Sequence, residues 1–262
     1  MTQALRFASL GSGSKGNATL VSAGQTHILI DNGFALRDLT QRLARFELTP
    51  DDLNAVLVTH EHGDHVGGVG PLIRRHRLPV HMTYGTRLAA QRRLGQLPHW
   101  QMLTPEIPVT IGDLEVLPVT VPHDAREPCQ FRLTDGQYQL GILTDLGSVT
   151  AHVVTTFQHC DSLVLEANHD PQMLAQGPYP PSLKARVAGD YGHLSNQQAA
   201  EFLQHIETGH LQHLVASHIS EQNNQAALAG RVLAEALNCT EDWITLADQQ
   251  QGFGWRACLP RG

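Results

Sequence analysis

The segment His60–His65 constrains this chain more than any other part of its sequence. It reads His-Glu-His-Gly-Asp-His, so three imidazoles and the Asp64 carboxylate fall within six residues. It directly follows the apolar run Asn54–Thr59, which is typical of a short buried strand. A strand end holds a short loop in place, so several of these side chains can point at one centre. Imidazole and carboxylate ligands are typical of zinc, manganese or iron sites, and four of them this close favour two ions over one.

Three further predicted strands end in the same way, with a metal-ligand side chain just after an apolar run. Val116–Val121 runs towards His123, Gln139–Leu143 towards Asp145, and Leu211–Ser217 towards His218. Taken singly, a polar residue at a strand end is more often structural. Four such endings in one chain predict that these side chains meet at one metal centre.

The pattern along the chain predicts an α/β fold. Short strands are expected at Leu5–Leu10, Thr19–Ser22 and His27–Ile30, and a mostly extended region runs from about Val109 to Leu143 with a hairpin turn at Asp135-Gly136. The remaining predicted elements are a strand at Ser162–Glu166 and helices at about Ala35–Phe46, Val69–Arg75, Ser195–His205 and Ala226–Leu237. A strand-rich centre with helices on both flanks indicates sheets covered by helices, and we expect one domain spanning residues 1–262.

Composition limits the class of protein. The chain has 262 residues, 41% of them hydrophobic, but no apolar stretch long enough for a membrane span and no basic flank typical of a signal peptide. Its formal net charge of -7 excludes a globally basic nucleic-acid binder. Four cysteines without CxxC spacing indicate a reducing compartment, so we expect a cytoplasmic protein without disulfides.

The HxHxDH pattern followed by His123, Asp145 and His218 resembles the metallo-β-lactamase superfamily. Within it, Ser9–Asn17, Glu166–Asp170 and Gly192–Asn196 resemble motifs of the WalJ (YycJ) family, whose members are linked to exonuclease activity. The resemblance extends from about Leu5 to Trp255. It implies an αββα sandwich, with two central mixed sheets flanked by helices, and a metal-dependent hydrolase.

The resemblance also implies a ligand set. One ion would be held by His60, His62 and His123, a second by Asp64, His65 and His218, and Asp145 would bridge them. His218 precedes Ile219 where such families often carry Leu, a conservative departure. The implied cofactors are two divalent ions, zinc or manganese, with iron also possible. A hydroxide shared by the two ions would be the nucleophile, and Asp64 would count among the catalytic residues.

A second catalytic residue is predicted at His193. Phosphodiesterases of this superfamily, such as RNase Z, carry a general acid in the motif that Gly192–Asn196 resembles; alternatively His193 binds a substrate phosphate without donating a proton. Glu166 could orient a histidine or simply precede a helix. The predicted substrate-binding residues are Ser14, Lys15, Asn17, His169, Ser195 and Asn196.

The glycine-rich loop Gly11–Asn17 contains the spacing GxGxxG. Dinucleotide binding requires that spacing between a strand and a helix, and no helix is predicted after this loop, so we expect no nucleotide cofactor. Its glycines would let the backbone approach the metals closely.

The metal site does not by itself identify the substrate. A phosphodiesterase or nuclease acting on DNA is favoured by the family resemblance and by six arginines between Arg74 and Arg93, a stretch without Asp or Glu. These arginines could equally form an ordinary solvated helix face. A small-molecule hydrolase, namely a cyclic phosphodiesterase, thioesterase or lactonase, could use the same metals. An aromatic content of 5% mildly favours a small substrate or contact with the nucleic-acid backbone alone. A third hypothesis is a metal-stabilised scaffold protein without enzymatic activity.

Overall fold

The computed structural model describes residues 4–260. Its framework is a pair of seven-stranded sheets. The strands of the first sheet are β1 (Arg6–Gly11), β2 (Ala18–Ala23), β3 (Thr26–Ile30), β4 (Ala55–Leu57), β5 (Val80–Thr83), β6 (Trp100–Leu103) and β14 (Phe253–Ala257). They lie in the order β14-β1-β2-β3-β4-β5-β6. Pairing is antiparallel from β14 to β3 and parallel from β3 to β6, so the sheet is mixed.

The second sheet is built in the same way. Its strands are β7 (Val109–Ile111), β8 (Leu114–Thr120), β9 (Cys129–Thr134), β10 (Gln139–Leu143), β11 (Ser162–Glu166), β12 (His213–Ser217) and β13 (Ile244–Leu246). They lie in the order β13-β12-β11-β10-β9-β8-β7. The strands from β7 to β10 pair antiparallel and those from β10 to β13 parallel, so β8, β10 and β12 point the same way and their C-terminal ends share one edge.

Ten α-helices are assigned among residues 4–260. They are α1 (Leu36–Ala44), α2 (Gly63–Val66), α3 (Val69–His76), α4 (Tyr84–Ala89), α5 (Gln91–Leu94), α6 (Ala151–Phe157), α7 (Pro171–Gln176), α8 (Pro181–Val187), α9 (Asn196–Gln204) and α10 (Ala226–Leu237). None of these helices has the length and hydrophobicity that a membrane span requires.

Three apolar clusters hold the layers together. Alternate residues of a strand point to opposite faces, so Val164 of β11 faces the first sheet while Leu163 and Leu165 face the helices. The cluster between the sheets includes Phe7 and Phe131, both fully buried. The outer clusters join the first sheet to α1, α3 and α5, and the second sheet to α6, α9 and α10. The predicted αββα sandwich of two mixed sheets flanked by helices is therefore confirmed.

Local chemistry fixes the boundaries of several predicted elements. The turn at Asp135-Gly136 forms as expected, with Gly136 at a φ of 89° and the Asp135 carboxylate accepting from the Gln137 and Tyr138 N–H groups. The helix predicted from Ser195 begins one residue later because the Ser195 hydroxyl caps it, accepting from the Gln198 N–H at 3.2 Å.

Two predicted strands are shorter than expected. The strand predicted over Leu211–Ser217 begins at His213, because Leu211 donates its N–H to Thr208 O at 3.0 Å and closes a 3-10 turn. The strand predicted over Asn54–Thr59 ends at Leu57, because the Thr59 N–H donates to the Asp31 carboxylate instead of a neighbouring strand. The predicted domain limits extend to residues 1–3 and 261–262, which lie outside the described residues.

Candidate metal centre

The loop after β4 changes conformation between its first two histidines and the following two ligand-type residues. His62 has extended backbone and precedes α2, which carries Asp64 and His65. The His65 N–H donates to His62 O at 3.1 Å, so the loop turns back on itself within four residues. A tight extended-to-helical turn therefore directs the side chains of this segment towards one side of the loop.

The first group of donors consists of His60, His62 and His123, each offering one ring nitrogen within 4.8 Å of the other two. Nδ1 of His62 lies 3.3 Å from Nε2 of His123. Nδ1 of His60 contacts the Thr59 hydroxyl at 2.9 Å, which leaves Nε2 to face the group. His60 and His123 are buried, and His62 is partly exposed.

The second group consists of Asp64, His65 and His218, whose donor atoms meet the same distance limit. Oδ2 of Asp64 lies 3.5 Å from Nε2 of His65 and 3.6 Å from Nε2 of His218. The two imidazole rings are stacked, with centroids 5.8 Å apart.

Asp145 lies between the two groups. Its Oδ2 is 3.0 Å from Nε2 of His65, and its Oδ1 is 3.5 Å from Nε2 of His218 and 3.9 Å from Nε2 of His123. Asp145 and His218 both have left-handed backbone, with φ of 56° and 51°, directly after their strands. Left-handed backbone costs a residue other than glycine about 1–2 kcal/mol, so both side chains are held in strained conformations.

The chemistry of the donor set fits divalent metal ions. Within residues 4–260, the buried Nε2 atoms of His60 and His218 have no hydrogen-bond partner. A buried polar atom without a partner is destabilising, and here several such atoms converge with carboxylate oxygens. A cation would satisfy them together, because imidazole nitrogens and carboxylates are ligands for zinc, manganese and iron.

Other side chains fix the ring orientations from behind. Asp31 Oδ2 lies 2.8 Å from Nδ1 of His65 and also accepts the Thr59 hydroxyl at 2.8 Å. Gly192 O lies 3.0 Å from Nδ1 of His123. Partners of this kind fix the tautomer, so that the other ring nitrogen is free to bind metal. Asp31 was missed by the sequence argument, although it follows the strand His27–Ile30 as the recognised ligands follow theirs.

Burial and neighbouring charges shift the pKa values of the ligands in opposite directions. Burial and the nearby His65 hold the pKa of His60 well below its usual value, so its ring is neutral as a metal ligand must be. Burial also disfavours the charged form of His65, but the Asp145 and Asp31 carboxylates hold its pKa well above the usual value. Asp64 resists ionisation through burial, yet His218 and His65 lower its pKa strongly.

His193 stands beside both groups and is paired with Glu166. Its Nδ1 lies 2.7 Å from Oε1 of Glu166, and its ring stacks on His218 with centroids 5.2 Å apart. The other Glu166 oxygen accepts from the backbone N–H groups of Leu146 and Leu194 at 2.9 and 3.0 Å. Glu166, His193, Asp145 and His218 also lie close enough to form a donor group. Because both Glu166 oxygens are already hydrogen bonded, this group is less suited to a metal than the other two.

The electrostatics of the His193–Glu166 pair favour a protonated ring. Burial disfavours the charged imidazole, but the Glu166 carboxylate outweighs it and raises the pKa of His193 to about 9. Its side chain is one-fifth exposed, so a substrate can reach it.

The predicted substrate-binding residues occupy three kinds of position. Lys15 is exposed and paired with Glu221 at 2.6 Å, and Ser14 is exposed beside it. Asn17 is buried, and its Nδ2 lies 3.2 Å from Oδ2 of Asp64 and 3.1 Å from Nε2 of His65. Asn17 therefore ties the glycine-rich loop to the second donor group.

The other three members of that prediction are buried. Ser195 caps α9, and the Asn196 amide exchanges two hydrogen bonds with Asn224, at 2.8 and 3.0 Å. His169 is buried, and its Nδ1 has no hydrogen-bond partner among the described residues. The structure gives Ser195 and Asn196 structural roles, and substrate contact by all three stays a prediction.

Gln249 is a contact that the sequence argument missed. Its side chain accepts from the Lys15 N–H at 2.9 Å and donates to Gly16 O at 3.1 Å, fixing the glycine-rich loop. Nothing in the local sequence marks it, because its partners are more than two hundred residues away along the chain.

Comparison with known proteins identifies the family of this chain. Residues 26–219 match the family described as the beta-lactamase superfamily domain. Exodeoxyribonuclease YycJ of Bacillus anthracis is 32% identical over 252 residues, covering 95% of this chain and 91% of that protein. The chain belongs to the metallo-β-lactamase superfamily. Within that superfamily it belongs to the YycJ/WalJ family, and the predicted hydrolytic enzyme is confirmed.

One further relative supports this membership, and one solved structure shares the fold. Exodeoxyribonuclease WalJ of Streptococcus pneumoniae serotype 2 (strain D39) is 32% identical over 236 residues, which is 88% of each chain. The crystal structure of the metallo-beta-lactamase fold protein YhfI from Bacillus subtilis superposes with a TM-score of 0.74 at 16% identity, covering 97% of this chain and 99% of that one. The second likeness concerns the fold alone.

Proposed function

We propose that this chain is a dinuclear-metal phosphodiesterase that acts on DNA as a nuclease. The observation that carries the proposal is the pair of donor groups that share Asp145, with His193 beside them. The names of the two relatives, both exodeoxyribonucleases, support DNA as the substrate. Zinc or manganese fits the donor set, and iron is also compatible with it.

The ligand side chains have defined tasks in this proposal. His60, His62 and His123 would hold one ion, Asp64, His65 and His218 the other, and Asp145 would contact both. When bound, the ions supply an activated water and neutralise negative charge on the phosphate. Asp31 and Gly192 O keep the ligand rings in the required orientation.

His193 acts as the general acid. Its Nδ1–H donates to Glu166, so Nε2 holds the proton that the leaving oxygen requires. The Glu166 carboxylate outweighs burial and raises the pKa of His193, which favours the protonated ring. The buried Glu166, fixed by two backbone N–H groups, prevents the ring from turning away.

A substrate panel tests the proposed reaction. The purified protein, loaded with manganese or zinc, is offered linear DNA, a chromogenic phosphodiester and a thioester. We expect turnover of both phosphodiesters and none of the thioester. Thioester turnover without DNA cleavage would replace the nuclease by a small-molecule hydrolase, and unchanged DNA cleavage after complete metal removal would contradict metal dependence.

A histidine variant tests the proton donor. His193→Ala should lower kcat on DNA by roughly 10²–10⁴-fold, the usual contribution of a general acid, while metal content stays constant. His205→Ala is the matched control, because His205 is exposed and contacts only the Glu201 carbonyl of its own helix. Equal kcat values for the two variants would contradict a role for His193 as the general acid.

A further inference from the structure

The first sheet carries an unusually basic surface beside the metal centre. We define the arginine face as the six arginines on or next to α3, α4 and α5: Arg74, Arg75, Arg77, Arg87, Arg92 and Arg93. Arg87 is half-buried and the others are exposed. In a chain with a net charge of -7, this local excess of positive charge requires an explanation.

No member of the arginine face forms an ion pair with any residue of the described range 4–260. Elsewhere in that range, Arg42, Arg186 and Arg231 each pair with a carboxylate. The arginine face is therefore a surface on which no acid of the described residues neutralises the bases. A phosphate could bind there without displacing a carboxylate.

The arginine face is continuous with the metal-binding loop. Nη1 of Arg93 lies 2.8 Å from the position that a Cβ on Gly63 would occupy, and Gly63 lies between His62 and Asp64. The next residue, Leu94, accepts a hydrogen bond from Arg74 through its carbonyl. The positive charge thus begins at the ligand loop itself.

From there the charge extends into a cleft. Arg74, Arg77 and Arg87 line it together with residues 96–99, and no carboxylate is among the lining residues. Tyr84 is 54% exposed and stands three residues before Arg87 on α4, so the two side chains share a helix face. Arginine forks suit phosphate oxygens, and an exposed tyrosine ring can stack on a base.

Two other cations near the centre are already neutralised. Lys15 pairs with Glu221, and Arg186 pairs with Asp124, whose Oδ1 is 3.6 Å from Nε2 of His62. Among the described residues, the positive charge close to the centre that has no ion pair is that of the arginine face and of the exposed Arg126, whose N–H donates to Glu61 of the metal loop. This asymmetry gives a long polyanion one preferred direction of approach.

We propose that the arginine face binds the sugar–phosphate backbone of a single DNA strand and leads it to the metal centre. This inference rests on the proposed nuclease function and adds a path for the strand to it. Arg93 would contact a phosphate next to the scissile bond. Arg74, Arg77 and Arg87 would contact phosphates further along the strand.

The test compares two double variants that remove the same charge. Arg87→Gln/Arg93→Gln alters the arginine face, and Arg37→Gln/Arg231→Gln alters exposed positions on α1 and α10. Binding of the manganese-loaded protein to a fluorescent, phosphorothioate-protected single strand is measured by anisotropy over a range of salt concentrations. In parallel, kcat/KM is measured for unmodified strand and for a chromogenic phosphodiester.

For the arginine-face variant, we expect the salt dependence of binding, as the slope of log K against log salt, to become shallower by about 1.4. Each phosphate contact on a single strand contributes about 0.7 to that slope. The ratio of kcat/KM for DNA to that for the small diester should fall by about tenfold, the effect of losing two solvent-exposed ion pairs. The control variant should keep both values.

The outcomes separate the two hypotheses. An unchanged slope and an unchanged ratio in the arginine-face variant would overturn the strand path, even if DNA remains a substrate. A wild-type protein that hydrolyses the small diester but neither binds nor cleaves DNA would overturn the proposed substrate, and the strand path with it. An equal loss in the control variant would reduce the effect to net charge, which also contradicts a specific path.

Discussion

At the scale of single residues, the buried carboxylate of Asp31 orients a ligand histidine without belonging to a donor group itself. It contacts His65 on one side and holds the Thr59 backbone and hydroxyl on the other. Thr59 in turn contacts Nδ1 of His60. One carboxylate therefore orients a histidine from each donor group, directly or through Thr59. Its loss should weaken metal binding at both groups.

Asp31→Asn should weaken metal binding by roughly 10–100-fold, the effect typical of losing a partner behind a ligand histidine. Competition with a chromogenic chelator measures this affinity. Asp51→Asn is the control, because Asp51 also contacts a histidine ring, that of His76, but on the exposed surface. Equal metal affinity in the two variants would contradict the role assigned to Asp31.

Glu166→Gln should shift the pH dependence of turnover. His193 must be protonated to act as an acid, so activity is retained below its pKa and lost as the pH rises through it. Burial disfavours the charged ring, and the Glu166 carboxylate is what raises that pKa to about 9. The amide removes this charge, so we expect the alkaline limb of the kcat profile to move to lower pH and kcat at neutral pH to fall. An unmoved alkaline limb would show that another group sets it.

The sequence was sufficient to predict the residues that the structure brings together at the centre, because a ligand side chain directly after an apolar strand is visible locally. The same rule would have drawn attention to Asp31, although as a ligand and not as the hydrogen-bond partner of His65 that the structure shows. Gln249 was beyond such a rule, since its contacts with the glycine-rich loop depend on how distant strands pair. The buried pairing of Asn196 with Asn224 was hidden for the same reason.

At the scale of elements, the metal loop depends on very close backbone packing. A Cβ on Gly68 would lie 1.8 Å from Phe34 O and 2.6 Å from Nδ2 of Asn32. The Gly68 N–H donates to Asn32 O at 2.8 Å, so the segment cannot move away without losing that bond. Gly68 joins α2 to α3, and displacing it would displace the helix that carries Asp64 and His65.

Gly68→Ala should lower the free energy of unfolding by about 3 kcal/mol, at the upper end for overpacking because the clash is with backbone. Denaturant titration measures the change. Gly254→Ala in β14 is the matched control: nothing lies within 4 Å of its added Cβ, so its stability should be unchanged or slightly higher. Similar stabilities for the two variants would disprove the packing constraint.

Elements with a clear apolar run or a full helical period were the most predictable from sequence. The strand at Ser162–Glu166 and the helix at Ala226–Leu237 have the predicted bounds. The missed elements include β5, α4, α5 and β6, of four to six residues each, and also α6 and α8, of seven residues each. Four residues of strand or one turn of helix show no repeat, so their identity depends on the sheet that receives them.

At the scale of the whole molecule, the metal centre joins the two sheets. His60, His62, Asp64 and His65 follow a strand of the first sheet, while His123, Asp145 and His218 follow strands of the second. Both donor groups draw on both sheets. Metal ions bound by these groups would therefore stabilise the arrangement of the sheets as well as supply the proposed chemistry.

Metal removal should lower the Tm by about 5–10 °C for each of the two ions that is lost. Binding at a hundred times Kd contributes about 2.7 kcal/mol for one site, and a domain of this size loses roughly 2–4 °C per kcal/mol. Calorimetry with and without chelator measures the shift, with element analysis confirming that the metal has left. The shift should shrink in His123→Ala, which lacks a ligand from the second sheet, and an unchanged Tm in the metal-free wild type would contradict coupling between the sheets.

Asp145 and His218 have left-handed backbone, a conformation that glycine adopts with the least strain. Backbone stability therefore favours glycine at these positions, whereas metal binding requires the side chains. In the metal-free protein, a glycine variant at either position should have a higher free energy of unfolding than the alanine variant. A descendant of this chain that no longer hydrolyses its substrate would not need these ligands. We expect glycine at positions 145 and 218 to mark such a loss of activity.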